Sequence, residues 1–350
     1  MLSVRFGHVF VLTFLHCTYS ERRLIGGEDV KTDKRYMAYL LQAKSSIRNY
    51  DAWICGGAIV SRWLMLTSAA CVEDVRNIYA IAGTEMYVRE DELEDNLCTS
   101  NWKRKVIYTC VPIAYDLQYD QVSKWSHNDV AVVKVEKPFV SSARSWRDCS
   151  YSPVAIPVNF DPKHEEPGTE AIVLGWGHTS KWRSTNSTLD LNQRQLQHVS
   201  VSVLDNEECK KSFTTPNMEK QIDDYMICSF HDGKLDETGK MIGSRRNTNV
   251  SIYKAEGEEI TDMKEIEKYL NSTQKHFNLR NEPTVENQRR SKGFCQNDHG
   301  GPLVTWINGT EHVIGIASVF RVDHQSNCMG PFLYTSTTKN KEFIECILKQ

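Results

Sequence analysis

Short apolar segments separated by turn residues recur along most of the chain. They are rich in Val, Ile, Leu and Tyr. Clear examples are residues 58–60, 129–135, 171–174, 198–203, 302–306 and 313–319. This pattern is typical of an all-β sandwich or barrel rather than of alternating strands and helices. A helical spacing of Phe343, Ile344 and Ile347 predicts one helix near the end, over residues 338–348.

One stretch between Cys228 and Cys295 departs from the strand pattern. It is hydrophilic, lacks cysteine and contains two dibasic pairs, Arg245-Arg246 and Arg289-Arg290. We predict an insert over residues 231–292. Within it, residues 256–270 place apolar side chains on one helical face, and Thr261 suits the N-cap. Two interpretations stay open: a solvated loop with a transient helix, or a helix that docks on a partner.

The first 20 residues match a secretory signal peptide. Arg5 precedes a short apolar run, and small residues follow it up to Ser20. The alternative, a membrane anchor, is disfavoured because the run is too short to cross a bilayer.

Of 11 cysteines, only Cys17 lies in this segment, and the even number that remains suits disulfides formed in an oxidising compartment. Four glycosylation sequons agree with secretion, at Asn186, Asn249, Asn271 and Asn308.

Composition excludes some function classes. The formal net charge is −3, whereas a general nucleic-acid binder should be clearly basic. After the signal segment no stretch has the length and apolarity of a membrane span. His299 beside Asp298 supplies too few ligands for zinc, which needs three or four. We therefore expect neither a metal nor another cofactor.

Several motifs, in order, resemble the trypsin/chymotrypsin family of serine proteases. They are Arg23-Leu24-Ile25-Gly26-Gly27, the segment from Cys55-Gly56-Gly57 to Ala69-Ala70-Cys71, Asn128-Asp129-Val130-Ala131, Gly175-Trp176-Gly177, Cys295-Gln296-Asn297-Asp298-His299-Gly300-Gly301-Pro302 and Pro331-Phe332-Leu333-Tyr334-Thr335. The resemblance implies two six-stranded antiparallel β-barrels with a cleft between them and a C-terminal helix. It divides the chain into a signal peptide (1–20), a short propeptide (21–23) and one trypsin-like domain (24–350) that carries the insert.

The resemblance also sorts the cysteines. It implies the disulfides Cys55–Cys71, Cys209–Cys228 and Cys295–Cys328. For the remaining four we expect Cys98–Cys110 and Cys149–Cys346.

The resemblance places the catalytic triad at Ala70, Asp129 and His299. The family mechanism needs a histidine base, an aspartate that orients it and a serine nucleophile. Here only Asp129 keeps its family identity, because a methyl group replaces the base and an imidazole replaces the hydroxyl. We therefore expect a chain that is not an enzyme.

Other parts of the family site also differ. Asn297 replaces the glycine of the oxyanion loop, where a side chain should disturb the backbone N–H groups. Phe320 and Phe332 replace the two glycines that keep the specificity pocket open, and Gly293 lies at its base, so we expect a blocked pocket. The alternative is that both phenylalanines are ordinary core residues.

Two activation residues remain. Cleavage between Arg23 and Leu24 would free an ammonium group, which in the family pairs with the acid at Asp298. Either this switch persists, or the site is a relic that is never cut.

Three functions remain open at this stage. The first is a secreted inactive protease homologue that binds an extracellular protein, through the insert among other surfaces. Insect haemolymph and seminal fluid are rich in such proteins, and the lack of a clip domain before Arg23 favours a reproductive or glandular role over immunity. The second is a hydrolase with unorthodox residues, including His299. The third is a glycan or microbial-surface binder, which the mild negative charge disfavours.

Overall fold

The computed structural model describes Leu24 and residues 27–42, 54–118, 120–139, 146–178, 190–215, 217–242 and 293–349. Several predicted features lie outside these residues: the signal peptide, the propeptide with Arg23, the sequons at Asn186, Asn249 and Asn271, and residues 243–292 of the insert with its predicted helix. Within the described part, no helix has the length and apolarity needed to cross a membrane.

The predicted all-β class is confirmed, since the strands close into two antiparallel barrels. The N-terminal barrel contains β2 (Met37–Gln42), β3 (Ile54–Ile59), β4 (Leu64–Thr67), β5 (Ile78–Ala82), β6 (Arg104–Cys110) and β7 (Ala131–Val135). The C-terminal barrel contains β8 (Glu170–Gly175), β9 (Gln197–Leu204), β10 (Met226–Asp232), β11 (Pro302–Ile307), β12 (Thr310–Val322) and β13 (Cys328–Ser336), and β1 (Glu28–Asp29) pairs with the edge of β9.

Five short helices lie around the barrels in the described residues. They are α1 (Leu97–Trp102), α2 (Val122–Trp125), α3 (Asn206–Lys210), α4 (Met218–Tyr225) and α5 (Lys341–Leu348). The C-terminal helix therefore begins later than residue 338. The preceding turn explains this start, because the N–H of Thr338 donates to Glu165 and the side-chain amide of Asn340 donates to the carbonyl of Ser336.

Strand β2 shows how the alternating pattern builds the core. Ala38 and Leu40 point into the N-terminal barrel, while Met37, Tyr39 and Leu41 join a cluster that includes residues of both barrels. Both faces of the strand are buried, so nearly every position is apolar. The shared cluster packs the two barrels against each other, and this contact fixes the cleft between them.

The disulfides both match and correct the expectations. The structure contains the three pairs that the resemblance implies: Cys55–Cys71, Cys209–Cys228 and Cys295–Cys328. The expected Cys98–Cys110 and Cys149–Cys346 pairs are wrong, because Cys98 is bonded to Cys149 with the two Cα atoms 4.7 Å apart. This bond joins α1 to the segment that follows the N-terminal barrel.

The beginning of the predicted insert belongs to the barrel. Strand β10 continues to Asp232, which pairs with Val201. Beyond it, Leu235 and Met241 form a bridge, and the N–H of Leu235 donates to Ser200 Oγ at 2.9 Å. The ladder thus extends past the predicted boundary at residue 231, and residues 233–242 lie on the C-terminal barrel.

Candidate functional site

The residues at the family's triad positions come together between the barrels. Ala70 lies in a 3-10 turn that follows β4, and Asp129 lies two residues before β7. His299 comes from the C-terminal barrel, in the turn that precedes β11. The N–H of Gly56 donates to the carbonyl of His299 at 2.7 Å, so a backbone contact between the barrels holds this turn.

Asp129 is completely buried and held by hydrogen bonds. Ser68 Oγ donates to Oδ1 at 2.6 Å, and the N–H of Ala70 donates to the same oxygen at 2.9 Å. Ser318 Oγ donates to Oδ2 at 2.6 Å. Buried carboxylates are stable when such donors replace water, so the frame that orients the aspartate is intact. Sequence reasoning did not identify Ser68 or Ser318 as partners of Asp129. Ser68 lies within a motif of the resemblance, and Ser318 lies two residues before Phe320.

His299 reaches across the cleft toward this carboxylate. Its Nε2 lies 3.8 Å from Oδ2 of Asp129, and 21% of its side chain is exposed. Its ring also packs near Trp125, with the ring centres 5.7 Å apart. Burial lowers the pKa of His299 below its usual value, and the negative charge of Asp129 partly opposes this shift. The ring therefore favours the neutral form, which has one nitrogen lone pair.

The oxyanion loop accommodates its side chain. Asn297 has φ = 71°, a left-handed conformation that glycine and asparagine adopt more readily than other residues. Its buried side-chain amide donates to Asn192 Oδ1 at 2.8 Å. The loop keeps a left-handed turn at this position, and this hydrogen bond holds the side chain of Asn297. That the side chain disturbs the backbone N–H groups stays a prediction. Asn192 belongs to no motif of the resemblance, so sequence reasoning missed it.

An aromatic cluster lies at the positions that the resemblance assigns to the specificity pocket. Phe332 is fully buried, and a Cβ built on Gly293 would lie 1.5 Å from Cε2 of Phe332. Phe294 packs beside it, with ring centres 5.0 Å apart, and Phe320 contacts Phe294 at 5.6 Å. Phe332 is thus a core residue of the C-terminal barrel, and that it blocks the specificity pocket stays a prediction.

A cleft of about 650 Å³ remains beside His299. Most of its lining is apolar, and it extends from the N-terminal barrel to the end of β12. The lining includes Ile54, Leu117, Trp125, Phe320 and Val322, together with Ala70 and the Cys55–Cys71 disulfide. Sequence reasoning missed Leu117, Trp125 and Val322, since none of them belongs to a motif of the resemblance. The cleft is open enough to receive an apolar group of another molecule.

Leu24 and Asp298, the two described residues of the expected activation switch, are both buried. Leu24 is fully buried in the core of the C-terminal barrel. Asp298 is also fully buried, and it accepts hydrogen bonds from the N–H groups of Gly177 at 2.7 Å and Cys295 at 3.1 Å. Burial raises the pKa of Asp298 to about 7, although these two hydrogen bonds oppose the shift. No cation pairs with it in the described part of the chain.

Comparison with known proteins decides the family. The sequence model of the trypsin family matches residues 24–239, which is more than half of the chain. The chain belongs to the trypsin family.

Relatives in this trypsin family include insect proteins. CLIP domain-containing serine protease B8 of Anopheles gambiae is 26% identical over 55% of this chain and 47% of that protein. Trypsin eta of Drosophila erecta is 24% identical over 62% of this chain and 70% of the relative. Phenoloxidase-activating factor 3 of Holotrichia diomphalia is 26% identical over 66% of this chain and 63% of that factor. This trypsin-family chain thus spans less than half of the first relative.

These relatives correct one expectation. We expected a chain that is not an enzyme, and this prediction is wrong, because the family and relatives named as serine protease and trypsin point to a protease. The replacements at Ala70 and His299 change which chemical groups are available in the cleft. By themselves they do not place this trypsin-family member outside the enzymes.

Proposed function

We propose that this member of the trypsin family acts outside the cell as a regulator or cofactor, and that it binds a protein partner in its cleft. The proposal rests mainly on an apolar cleft of about 650 Å³ beside His299, which is present although Phe332 packs against Gly293 at the expected base of the specificity pocket. Exposed apolar concavities are the usual sites for anchoring side chains of a partner. The apolar lining favours an apolar protein segment over a glycan.

Several features support an extracellular setting. Residues 1–20 have the pattern of a signal peptide, and the four disulfides suit an oxidising compartment. Asn308, in the sequon that the structure describes, lies exposed in the turn between β11 and β12. The Holotrichia relative is named as a factor that activates phenoloxidase. By analogy, the proposed setting is an insect extracellular pathway, either an immune cascade or a reproductive fluid.

The insert is a second candidate surface for the same partner. In its described part, Met241 is 60% and Ile242 is 54% exposed, although both are apolar. Beyond them, residues 256–270 carry the predicted amphipathic helix. An amphipathic helix that leaves its apolar face uncovered is a common means of docking into a groove. The insert would then extend the contact that the cleft begins.

The test is affinity capture from native secreted fluid with matched variants. Val322 lines the cleft and is 44% exposed, so V322E should fold normally but place a charge in the contact. Ile113 is fully exposed and does not line the cleft, so I113E adds the same charge elsewhere. We expect V322E to weaken binding of the captured protein at least tenfold and I113E to leave it unchanged. Equal binding by V322E and I113E would contradict the proposal.

The contribution of the insert is tested separately in the full chain. Replacing Ile260, Met263 and Ile266 by serine removes the apolar face of the predicted helix and keeps the length of the insert. Weaker binding by this triple variant alone would assign recognition to the insert. Weaker binding by both this variant and V322E would assign it to a continuous surface.

A further inference from the structure

The chain retains a histidine–aspartate couple, but the histidine comes from the opposite barrel. In the family mechanism the histidine base, the aspartate that orients it and the serine nucleophile are three different residues. Here Ala70 has only a methyl group beside Asp129, and His299 extends its ring into that vicinity, with Nε2 3.8 Å from Oδ2. This distance exceeds a hydrogen bond, but contacts of this kind often tighten when a substrate binds.

The two nitrogens of the His299 ring have different surroundings. Nε2 is shielded from solvent and makes no hydrogen bond. The exposed 21% of the side chain faces the cleft, which His299 lines. Because Nε2 is shielded while 21% of the side chain is exposed, we assign Nδ1 as the ring nitrogen that faces the cleft. The carboxylate favours the tautomer with its proton on Nε2, and this tautomer leaves the lone pair on Nδ1.

Few charges act on this ring. Asp129 faces it from the N-terminal barrel, and the neighbouring Asp298 points away, toward the N–H groups of Gly177 and Cys295. The other elements around the ring present Trp125 from α2 and Phe320 from β12, which carry no charge. A neutral imidazole, oriented by one carboxylate and set in an apolar cleft, has the surroundings of a general base.

We propose that the cleft hydrolyses esters of apolar carboxylic acids, with Nδ1 of His299 as the base and Asp129 as its orienting partner. Nδ1 accepts a proton from water while the water oxygen bonds to the acyl carbon. The bond from that carbon to the alkoxy oxygen then breaks, and the alkoxide takes the proton from the imidazolium. The products are a carboxylic acid and an alcohol, and water is the only co-reactant.

The substrate class follows from the lining of the cleft. Leu117, Trp125 and Val322 offer apolar contact to an acyl chain next to the ring. Phe332 excludes a long side chain from the family's specificity pocket. A short aliphatic acyl group therefore fits the cleft better than a basic side chain. Esters with a good leaving group are intrinsically more reactive than amides, so their hydrolysis requires less catalysis by the protein.

The experiment measures hydrolysis of p-nitrophenyl butyrate and p-nitrophenyl acetate by the full secreted chain. We expect kcat/KM to be higher for butyrate, because the longer acyl chain buries more apolar area. H299Q should lose about 100-fold or more in kcat/KM, because general-base effects are typically 10²–10⁴-fold. The matched control is H324Q, since His324 is exposed in the turn between β12 and β13 and should keep the full rate.

The pH profile of the unmodified chain provides a readout that does not depend on a variant folding. Because the pKa of His299 is lowered from 6.5, the rate should rise with pH and reach half of its plateau below pH 6.5. D129N should reduce the rate and shift this midpoint further down, since the charge that opposes the shift is gone. Equal rates for H299Q and the unmodified chain, or a midpoint that D129N does not move, would overturn the proposal.

Discussion

The ring of Phe332 lies where the side chain of residue 293 would otherwise be. A Cβ on Gly293 would lie 1.5 Å from Cε2 and 1.8 Å from Cζ of Phe332, so the two residues are complementary in size. The position that the resemblance assigns to the base of the specificity pocket is therefore packed against the core of the C-terminal barrel.

This complementarity predicts coupled effects on stability. G293A should lower the free energy of unfolding by about 1–3 kcal/mol, because the added methyl group overpacks a filled core. F332A should lower it by about 3–5 kcal/mol through loss of burial and a residual cavity. In the double variant the methyl group finds space, so the total loss should be smaller than the sum. Urea unfolding of the four proteins measures this, and strictly additive losses would contradict the packing.

The strand pattern predicted an all-β fold because its signals are local and repeated, and the resemblance implied the two barrels. The segment predicted at 129–135 forms a strand over Ala131–Val135, and the three cysteine pairs of the resemblance are present. The remaining pair could not be predicted, since Cys98 and Cys149 are 51 residues apart and their proximity depends on how α1 packs. Trp125 and Val322 likewise enter the cleft only through tertiary packing. The approach of His299 Nε2 to 3.8 Å from Asp129 Oδ2 also follows from tertiary packing, which no local pattern reveals.

The corrected disulfide pairing predicts a specific result in peptide mapping. Digestion without reduction should yield a cross-linked peptide that joins Cys98 and Cys149, and Cys110 should react with iodoacetamide because it carries a free, partly exposed thiol. Replacing both Cys98 and Cys149 by serine should lower the free energy of unfolding by about 4 kcal/mol, from the entropy of a loop of this length. A peptide linking Cys98 to Cys110 would contradict the structure.

Buried Asp298 predicts a pH dependence of stability in the uncleaved chain. Its pKa rises from 3.8 unfolded to about 7 folded, so the folded state holds the proton more tightly. Its contribution to stability is therefore fully present below about pH 4 and decreases as pH rises to about 7. The decrease is of order 4 kcal/mol at most, at about 1.4 kcal/mol per pH unit.

Cleavage between Arg23 and Leu24 should change this slope. If the freed ammonium pairs with Asp298, the carboxylate becomes stable and the loss of stability between pH 4 and 7 should shrink. Urea unfolding across this pH range compares the cleaved chain with R23A, which a tryptic protease cannot cut there. Equal slopes for the cleaved chain and R23A would show that the activation ion pair does not form.

The intact frame around Asp129 predicts that the family triad can be rebuilt. Ser68, Ser318 and the N–H of Ala70 already hold the carboxylate. A70H together with H299S supplies a base beside it and a hydroxyl on the opposite side. A small alkyl fluorophosphonate, which reacts with activated serine, should label the double variant at least tenfold faster than either single variant. Equal labelling of H299S and the double variant would contradict the rebuilt geometry.

Binding of a partner in the apolar cleft can be measured by hydrogen–deuterium exchange of the full chain with and without the captured partner. We expect slower exchange on binding at the residues that line the cleft, which include Ile54, Cys55, Ala70, Cys71, Leu117, Trp125, Ser318, Phe320 and Val322. Residues 104–113, which include exposed Ile113 on the outer side, should exchange at the same rate in both states. Protection confined to segments outside the cleft, with unchanged exchange around Trp125 and Val322, would contradict binding of the partner in the cleft.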